Sequence, residues 1–196
     1  MTDRKRDRRI QDLGTLKAIA HPLRMQLYRA LTIARTATAS QLAEQVDEAV
    51  SLVSYHLRKL AEHGLIEQAE PQTADGRERW WQPASDGVSI HDEDFSDAPE
   101  KAAAHTAASR LFFDQRADLY RRFLDERVHW GSEWSQAADS SEWLLKLTPQ
   151  ELAELSRRMY GLVREYEERG RAAVAAGDTE GRENVAVHTY GFPFRP

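Results

Sequence analysis

Residues 50–66, VSLVSYHLRKLAEHGLI, constrain this chain more than any other stretch, because wound at helical period they separate into two unlike faces. Val53, Leu57 and Leu60 fall at i, i+4 and i+7 and point inward, while Ser51, Leu52, Ser54, Tyr55, Arg58 and Lys59 sit toward the other side. That outer face offers hydroxyls, a phenol and two cations, with no carboxylate before Glu62. Such groups hydrogen-bond to base edges and phosphates. Gly64 is placed to close the helix as a left-handed cap, and Leu65 and Ile66 begin an element of another period. An ordinary amphipathic helix with a solvated face has the same pattern, so the flanking residues decide between the two.

Upstream, Leu16, Ile19, Pro22, Leu23, Leu27 and Leu31 recur at helical spacing, with Pro22 where a first turn tolerates its missing donor. The pattern predicts a helix over 22–34. Thr38 and Gln41 have the spacing of a capping box and start a short helix through Leu42 and Val46, interrupted by Asp47 and Glu48. Two short helices across a tight connection, the second with a polar outer face, make a helix-turn-helix arrangement. Downstream, residues 65–70 and 77–82 read as strands joined through Asp75-Gly76, a dipeptide suited to a hairpin turn. In this wing Arg77 and Arg79 alternate with Glu78 and Trp80, so both arginines project to one side, toward a phosphate backbone or minor groove. The alternative is that they are only solvated charges.

These runs, LKAIAHPLRMQLYRAL, SQLAEQV, VSLVSYHLRKLAEHGLIE and the Trp-Trp that ends the wing, resemble the ArsR-type (arsenical-repressor-like) winged helix-turn-helix regulators of bacteria over residues 13–83. Ser54, His56, Leu57, Leu60, Gly64 and Leu65 match the family's most recognisable run, with the His-Pro-x-Arg of residues 21–24 at the right distance upstream. The resemblance implies a winged-helix fold and DNA binding, and it does not specify what a regulator of this type senses. Many relatives sense metals through cysteines before the recognition helix; this chain has no cysteine, which removes that site.

The net charge of −5 divides unevenly. Residues 1–82 hold 13 Lys and Arg against 11 Asp and Glu, whereas the remainder holds 14 against 21. The acid is therefore displaced from the helix-turn-helix, and local potential is what a docking face feels. Arg4, Lys5, Arg6, Arg8 and Arg9 form a basic arm over residues 1–12, either a solubilising tail or a groove-seeking extension. No apolar run approaches a membrane span and the N-terminus lacks a signal-peptide core, so a cytoplasmic protein without a membrane partner is expected.

Residues 84–99, rich in Asp, Ser, Gly and Pro, read as an acidic linker, and 100–196 as a C-terminal dimerisation and effector region. From Pro99 toward Gly131 an apolar stripe of Ala104, Ala108, Leu111, Phe112, Leu119, Phe123 and Leu124 predicts a long helix, which needs a partner along its length. Pairing with a second copy, aided by residues 13–20, is the expected answer. Beyond it, residues 143–147 read as a short apolar strand. Thr148-Pro149-Gln150-Glu151 starts a helix with the stripe Leu152, Leu155, Met159, Leu162, Val163 and Tyr166, and residues 185–190 alternate like a second strand. The fold class is accordingly mainly α with small β content (α+β): a winged helix-turn-helix domain, then a helical region with a short strand-helix-strand element.

Phe112, Phe113, Trp130, Trp134, Trp143, Tyr160 and Phe192 make the second half aromatic-rich, either as core or as the pocket of a small apolar or aromatic effector. His105 and His129 have no histidine partner at helical spacing, and His91, Asp92, Glu93 and Asp94 form a dense donor cluster of the kind usually solvated. No metal is therefore expected. His56 is read as a hydrogen-bonded histidine near the core, and His21 as a cap before Pro22. No glycine-rich phosphate loop, nucleophile elbow or paired-histidine motif is present, which argues for a non-enzyme without a cofactor.

The expected function is sequence-specific regulation of transcription by a homodimer on double-stranded DNA, with a pseudo-palindromic operator. Ser51, Leu52, Ser54, Tyr55 and Arg58 are assigned to base edges, and Thr38, Ser40, Lys59, Arg77 and Arg79 to phosphates. The alternative is a winged helix used for protein contacts alone.

Overall fold

The computed structural model describes residues 7–72 and 78–195, and the chain divides into two units, Met1–Asp125 and Glu126–Pro196. The first begins with strand β1 (Arg8–Ile10) and helix α1 (Leu13–Ile19), whose cap Asp12 accepts a hydrogen bond from the Thr15 N–H at 2.8 Å. Helix α2 (Pro22–Ala34) starts on its proline. Strand β2 (Ala37–Thr38) leads into α3 (Ala39–Val46), and Thr38 and Gln41 form the reciprocal capping box that the sequence predicts. Three residues later α4 (Val50–Glu62) begins, after Asp47 has turned the chain in the left-handed region at φ 54°.

Helix α4 stops for a local reason. Gly64 has φ +63°, its N–H donates to the Ala61 carbonyl at 2.8 Å, and the Leu65 N–H donates to the Leu60 carbonyl at 3.0 Å. This is a Schellman ending, completed by the fully buried Leu60 and Leu65.

Strands β3 (Ile66–Gln68) and β4 (Trp80–Pro83) pair antiparallel, and β2 adds on the far side to give the order β2-β4-β3. The wing arms are shorter than the sequence pattern suggests, and β4 starts at Trp80, not at residue 77. The Asp75-Gly76 turn and Arg77, like Arg4, Lys5 and Arg6, lie outside the described residues. Trp80 and Trp81 are both buried, because a strand paired on both edges and packed against α2 leaves neither of them open.

Residues 84–99 are built into the domain. Strand β5 (Val88–Ile90) pairs parallel with β1, a 3₁₀ turn covers Asp92–Asp94, and Phe95 is fully buried against a parallel His105 ring at 5.3 Å. The described part of the basic arm is likewise neither tail nor extension. Ile10 is buried, and Arg9 is ion-paired with Glu93 and with Asp94 at 2.6 Å, which holds the Asp94 carboxyl below the usual range. The core of this unit is Leu16, Leu27, Leu31, Leu42, Val53, Leu57, Leu60, Leu65, Ile66 and Phe95, all essentially inaccessible. Helix α5 (Pro99–Glu126) joins it through Ala108, Leu111 and Phe112, and Gln115 donates to the Pro22 carbonyl at 3.2 Å.

The second unit contains a 3₁₀ turn (Arg127–Trp130), a short helix α6 (Gly131–Ala137) and the long helix α7 (Pro149–Ala175). Thr148 and Glu151 close the expected capping box at the start of α7. The two strands expected around it are absent: residues 143–147 and 185–190 form no strand. Each is a single short apolar run, and a strand that finds no sheet leaves its backbone groups to solvent. None of residues 126–195 is buried.

Candidate nucleic-acid interface

Helix α4 holds its outer face by burying the inner one completely. Val53, Leu57 and Leu60 have no measurable exposure and contact α2 and α3, so the helix cannot rotate without opening the core. The remaining residues are thereby fixed outward. Ser51, Leu52, Tyr55 and Arg58 are exposed, Ser54 and Lys59 half-buried. Leu52 at 39% and Tyr55 at 47%, like Val50 at the start of the helix, are large apolar bodies left in water. The Arg58 Nε–H donates to the Ser54 carbonyl at 3.3 Å, which lays the guanidinium along the helix. Lys59 pairs with Glu62 at 2.7 Å, raising the pKa of the ammonium and lowering that of the carboxyl, and its Nζ lies 5.9 Å from the centre of the Tyr55 ring.

The other residues assigned to DNA are placed less uniformly. Thr38 is only 2% exposed and its hydroxyl accepts the Gln41 N–H, so the cap uses the group that was expected on a phosphate. Ser40, one residue into α3, is exposed and donates to Glu78 of the wing at 3.1 Å. Arg79 is exposed, with its guanidinium carbon 5.5 Å from the Trp81 ring centre, a stacking that limits the directions the cation can take.

Behind α4 sits a contact that the sequence pattern does not reveal. His21 and His56 face each other with ring centres 4.7 Å apart, and Tyr55 meets His56 edge-on at 5.1 Å. Each histidine is where it was expected, His56 buried near the core and His21 at the start of α2, but without the expected hydrogen bond at Nδ1. His21 occupies the cap position of α2 without a side-chain cap bond, and the buried Nδ1 of each ring has no hydrogen-bond partner. Burial, with the nearby Arg24 charge, lowers both pKa values; His21 contributes further to the lowering at His56. Arg24 itself donates to the Ala18 carbonyl and, at 3.0 Å, to that of Lys17, tying the end of α1 to α2. Its partners are backbone atoms, which no spacing rule reaches. Arg8 similarly donates to the Gly64 carbonyl, fastening β1 to the end of α4.

The aromatic residues proposed for an effector fall into both units. Phe112 packs on the core of the first and Phe113 is exposed. In the second, Trp130, Trp143, Tyr160 and Phe192 are exposed and Trp134 half-buried.

The three helices α2, α3 and α4 with the β2-β4-β3 sheet make this a winged helix-turn-helix protein, mainly α with a small β content. Residues 19–69 match the helix-turn-helix domain family. No curated protein matches the chain. Among solved structures, one of a possible transcriptional regulator for arsenical resistance is 25% identical, covering 66% of this chain and 98% of its own, with a TM-score of 0.32. Reduced HlyU from Vibrio cholerae is 19% identical over 50% of this chain and 85% of its own, with a TM-score of 0.32. A transcriptional regulator homologue from Pyrococcus horikoshii is 17% identical over 53% and 85%, with a TM-score of 0.31. Among the described residues no helix is long and apolar enough to cross a membrane.

Proposed function

We propose that this protein is a sequence-specific transcriptional regulator that binds a pseudo-palindromic operator as a homodimer, with α4 in the major groove of each half-site. The observation that carries the reading is the outer face of α4. Ser51, Leu52, Ser54, Tyr55 and Arg58 form one surface without a carboxylate, held by an inner face that is fully buried. Ser, Tyr and Arg side chains supply the donors and acceptors that base edges match, and Leu52 suits a thymine methyl. Lys59, Ser40, Arg77 and Arg79 serve the phosphates; Thr38, buried, supports α3 from within.

Twofold pairing sets the two α4 helices about one turn of DNA, roughly 34 Å, apart. Leu16, Ala18 and Ile19 of α1 are buried in their own domain, so the dimer contact falls to α5, which leaves Phe113, Tyr120 and Leu124 exposed. An apolar or aromatic ligand in the C-terminal region remains the proposed class of effector. A DNA-binding regulator works where the genome is, which in a bacterial cell is the cytoplasm.

The test is selection of bound fragments from genomic DNA, followed by titration of the selected site and a random duplex across salt concentrations. Preference for the selected site, with binding to both weakening as salt rises, is expected. Equal binding to both at every salt concentration would sink the proposal, and retention by a protein partner alone would favour a protein-contact module.

A further inference from the structure

Helix α7 is built to be a helix, and most of its apolar face is left exposed. It runs 27 residues from a complete capping box, yet its apolar residues lie open, with Leu155 37% and Leu162 57% exposed. Amphipathic helices take most of their stability from a covered face. The spacing of that face indicates what covers it. Leu152, Leu155, Met159, Leu162 and Tyr166 follow one another at intervals of three, four, three and four, the narrow seam of a two-helix coil. Leu152 is already half-covered by the end of the chain, since a Cβ on Gly191 would lie 2.9 Å from its Cδ1. The open seam is therefore Leu155, Met159, Leu162 and Tyr166.

We propose that α7 pairs antiparallel with the α7 of a second copy of this chain, with Met159 layered on the partner's Leu162 and Leu155 on the partner's Tyr166. The charges beside the seam select this orientation. Arg158 and Glu165 lie seven residues apart on the same flank. With those layers, antiparallel helices bring Arg158 beside the partner's Glu165, and the twofold axis makes the contact twice. A parallel pair sets Arg158 against the partner's Val163 and gains nothing.

Both charges now hold exposed partners within the helix, Arg158 with Glu154 and Glu165 with Arg169 at 2.8 Å. Exposed pairs of that kind are weak enough to exchange. Arg169 also lies over the Tyr166 ring at 4.6 Å, so the aromatic end of the seam already carries its own cation. This pairing goes beyond the operator reading and does not depend on it, because it concerns the C-terminal unit alone.

The absence of cysteine makes the register directly testable in the full chain. Met159→Cys and Leu162→Cys proteins are mixed under reducing conditions and then oxidised, and each is also oxidised alone. Disulfide-linked mixed dimers should exceed either homotypic product by about tenfold, since only the mixed pair meets within disulfide reach. Equal or greater homotypic cross-linking of M159C would mean a parallel pair, and no cross-link in any sample would mean no pair; either overturns the proposal.

Charge exchange supplies the second measurement and leaves the apolar seam intact. R158E or E165R alone should raise the dimer Kd roughly tenfold at low salt, and the double exchange R158E/E165R should restore it. A Kd unmoved by either single change overturns the antiparallel arrangement.

Discussion

Helices α4 and α7 carry the same kind of information and stand in opposite situations. Each is amphipathic, each has a well-made terminus, and each puts cations beside an apolar row. In α4 the row is covered by α2 and α3 of the same chain and reaches zero exposure. In α7 it is open from Leu155 to Tyr166. Periodicity states that a face must be covered, and only the rest of the fold states by what. In the first unit the cover is local in sequence, within some forty residues of α4; in the second, residues 126–195 leave Leu155, Met159, Leu162 and Tyr166 exposed.

The sharpest way to break this contrast is to shorten one leucine on each helix. Leu57→Ala should cost about 3 kcal/mol in denaturant unfolding, because it opens a cavity in a closed core. Leu162→Ala should cost well under 1 kcal/mol when the protein is dilute, and should act on self-association instead. Comparable losses in dilute protein would show that the α7 row is covered within the chain after all.

A change on the outer face should leave stability alone and move recognition. Arg58→Ala should remove about 1–3 kcal/mol of preference for the selected operator with an unchanged unfolding midpoint, whereas Arg79→Ala should weaken binding to all sequences and flatten the salt dependence. Titrations by fluorescence anisotropy separate the two. Uniform weakening by Arg58→Ala would reassign that residue to the phosphates.

The two capping boxes allow a matched comparison of smaller size. Thr38→Ala should lower unfolding stability by about 1 kcal/mol, since the cap it removes is buried in the cooperative core. Thr148→Ala should instead fray the start of α7, seen as faster amide exchange in its first turn without a shift of the main transition. Equal shifts would join the two units into one cooperative system.

The smallest effect expected is on pH. Both His21 and His56 have folded pKa values below the ordinary value of about 6.5, so the unfolded chain binds protons more readily. Their contribution to stability is complete above about pH 6.5 and is lost as the pH falls from there toward the folded values. Urea midpoints measured from about pH 7.5 down to about pH 5.5 should decline, with a shallower slope in His56→Gln. A midpoint that rises on acidification would contradict the burial of this pair.

Much of the winged domain was legible because its determinants are local. The α4 stripe, the Gly64 ending and the Thr38 capping box lie within a few residues of the feature they fix, and the structure reproduces them, as it does the capping box of α7 in the second unit. The pairing of β1 with β5 was not legible. It joins two three-residue segments some eighty positions apart, the first inside a basic run and the second inside an acidic one, and neither has the length to announce a strand. The runs at 143–147 and 185–190 fail the other way: they look like strands and find no sheet. The outward set on α4 was legible except for interference from side-chain partners. The Lys59–Glu62 pair and the His21–His56 contact depend on rotamers and on neighbouring helices, not on period.

The link from Arg8 to the Gly64 carbonyl has a practical consequence for anyone who cuts this gene. The recognised segment, residues 19–69, looks like a ready-made minimal fragment. Its fully buried leucines, however, share a core with Ile10 on one side and with Trp81 and Phe95 on the other, all outside those limits. Expressed alone, the fragment would bring the reading helix into solution without the strand that anchors its end and with its floor missing. The unit that folds is longer at both ends than the unit that is recognised.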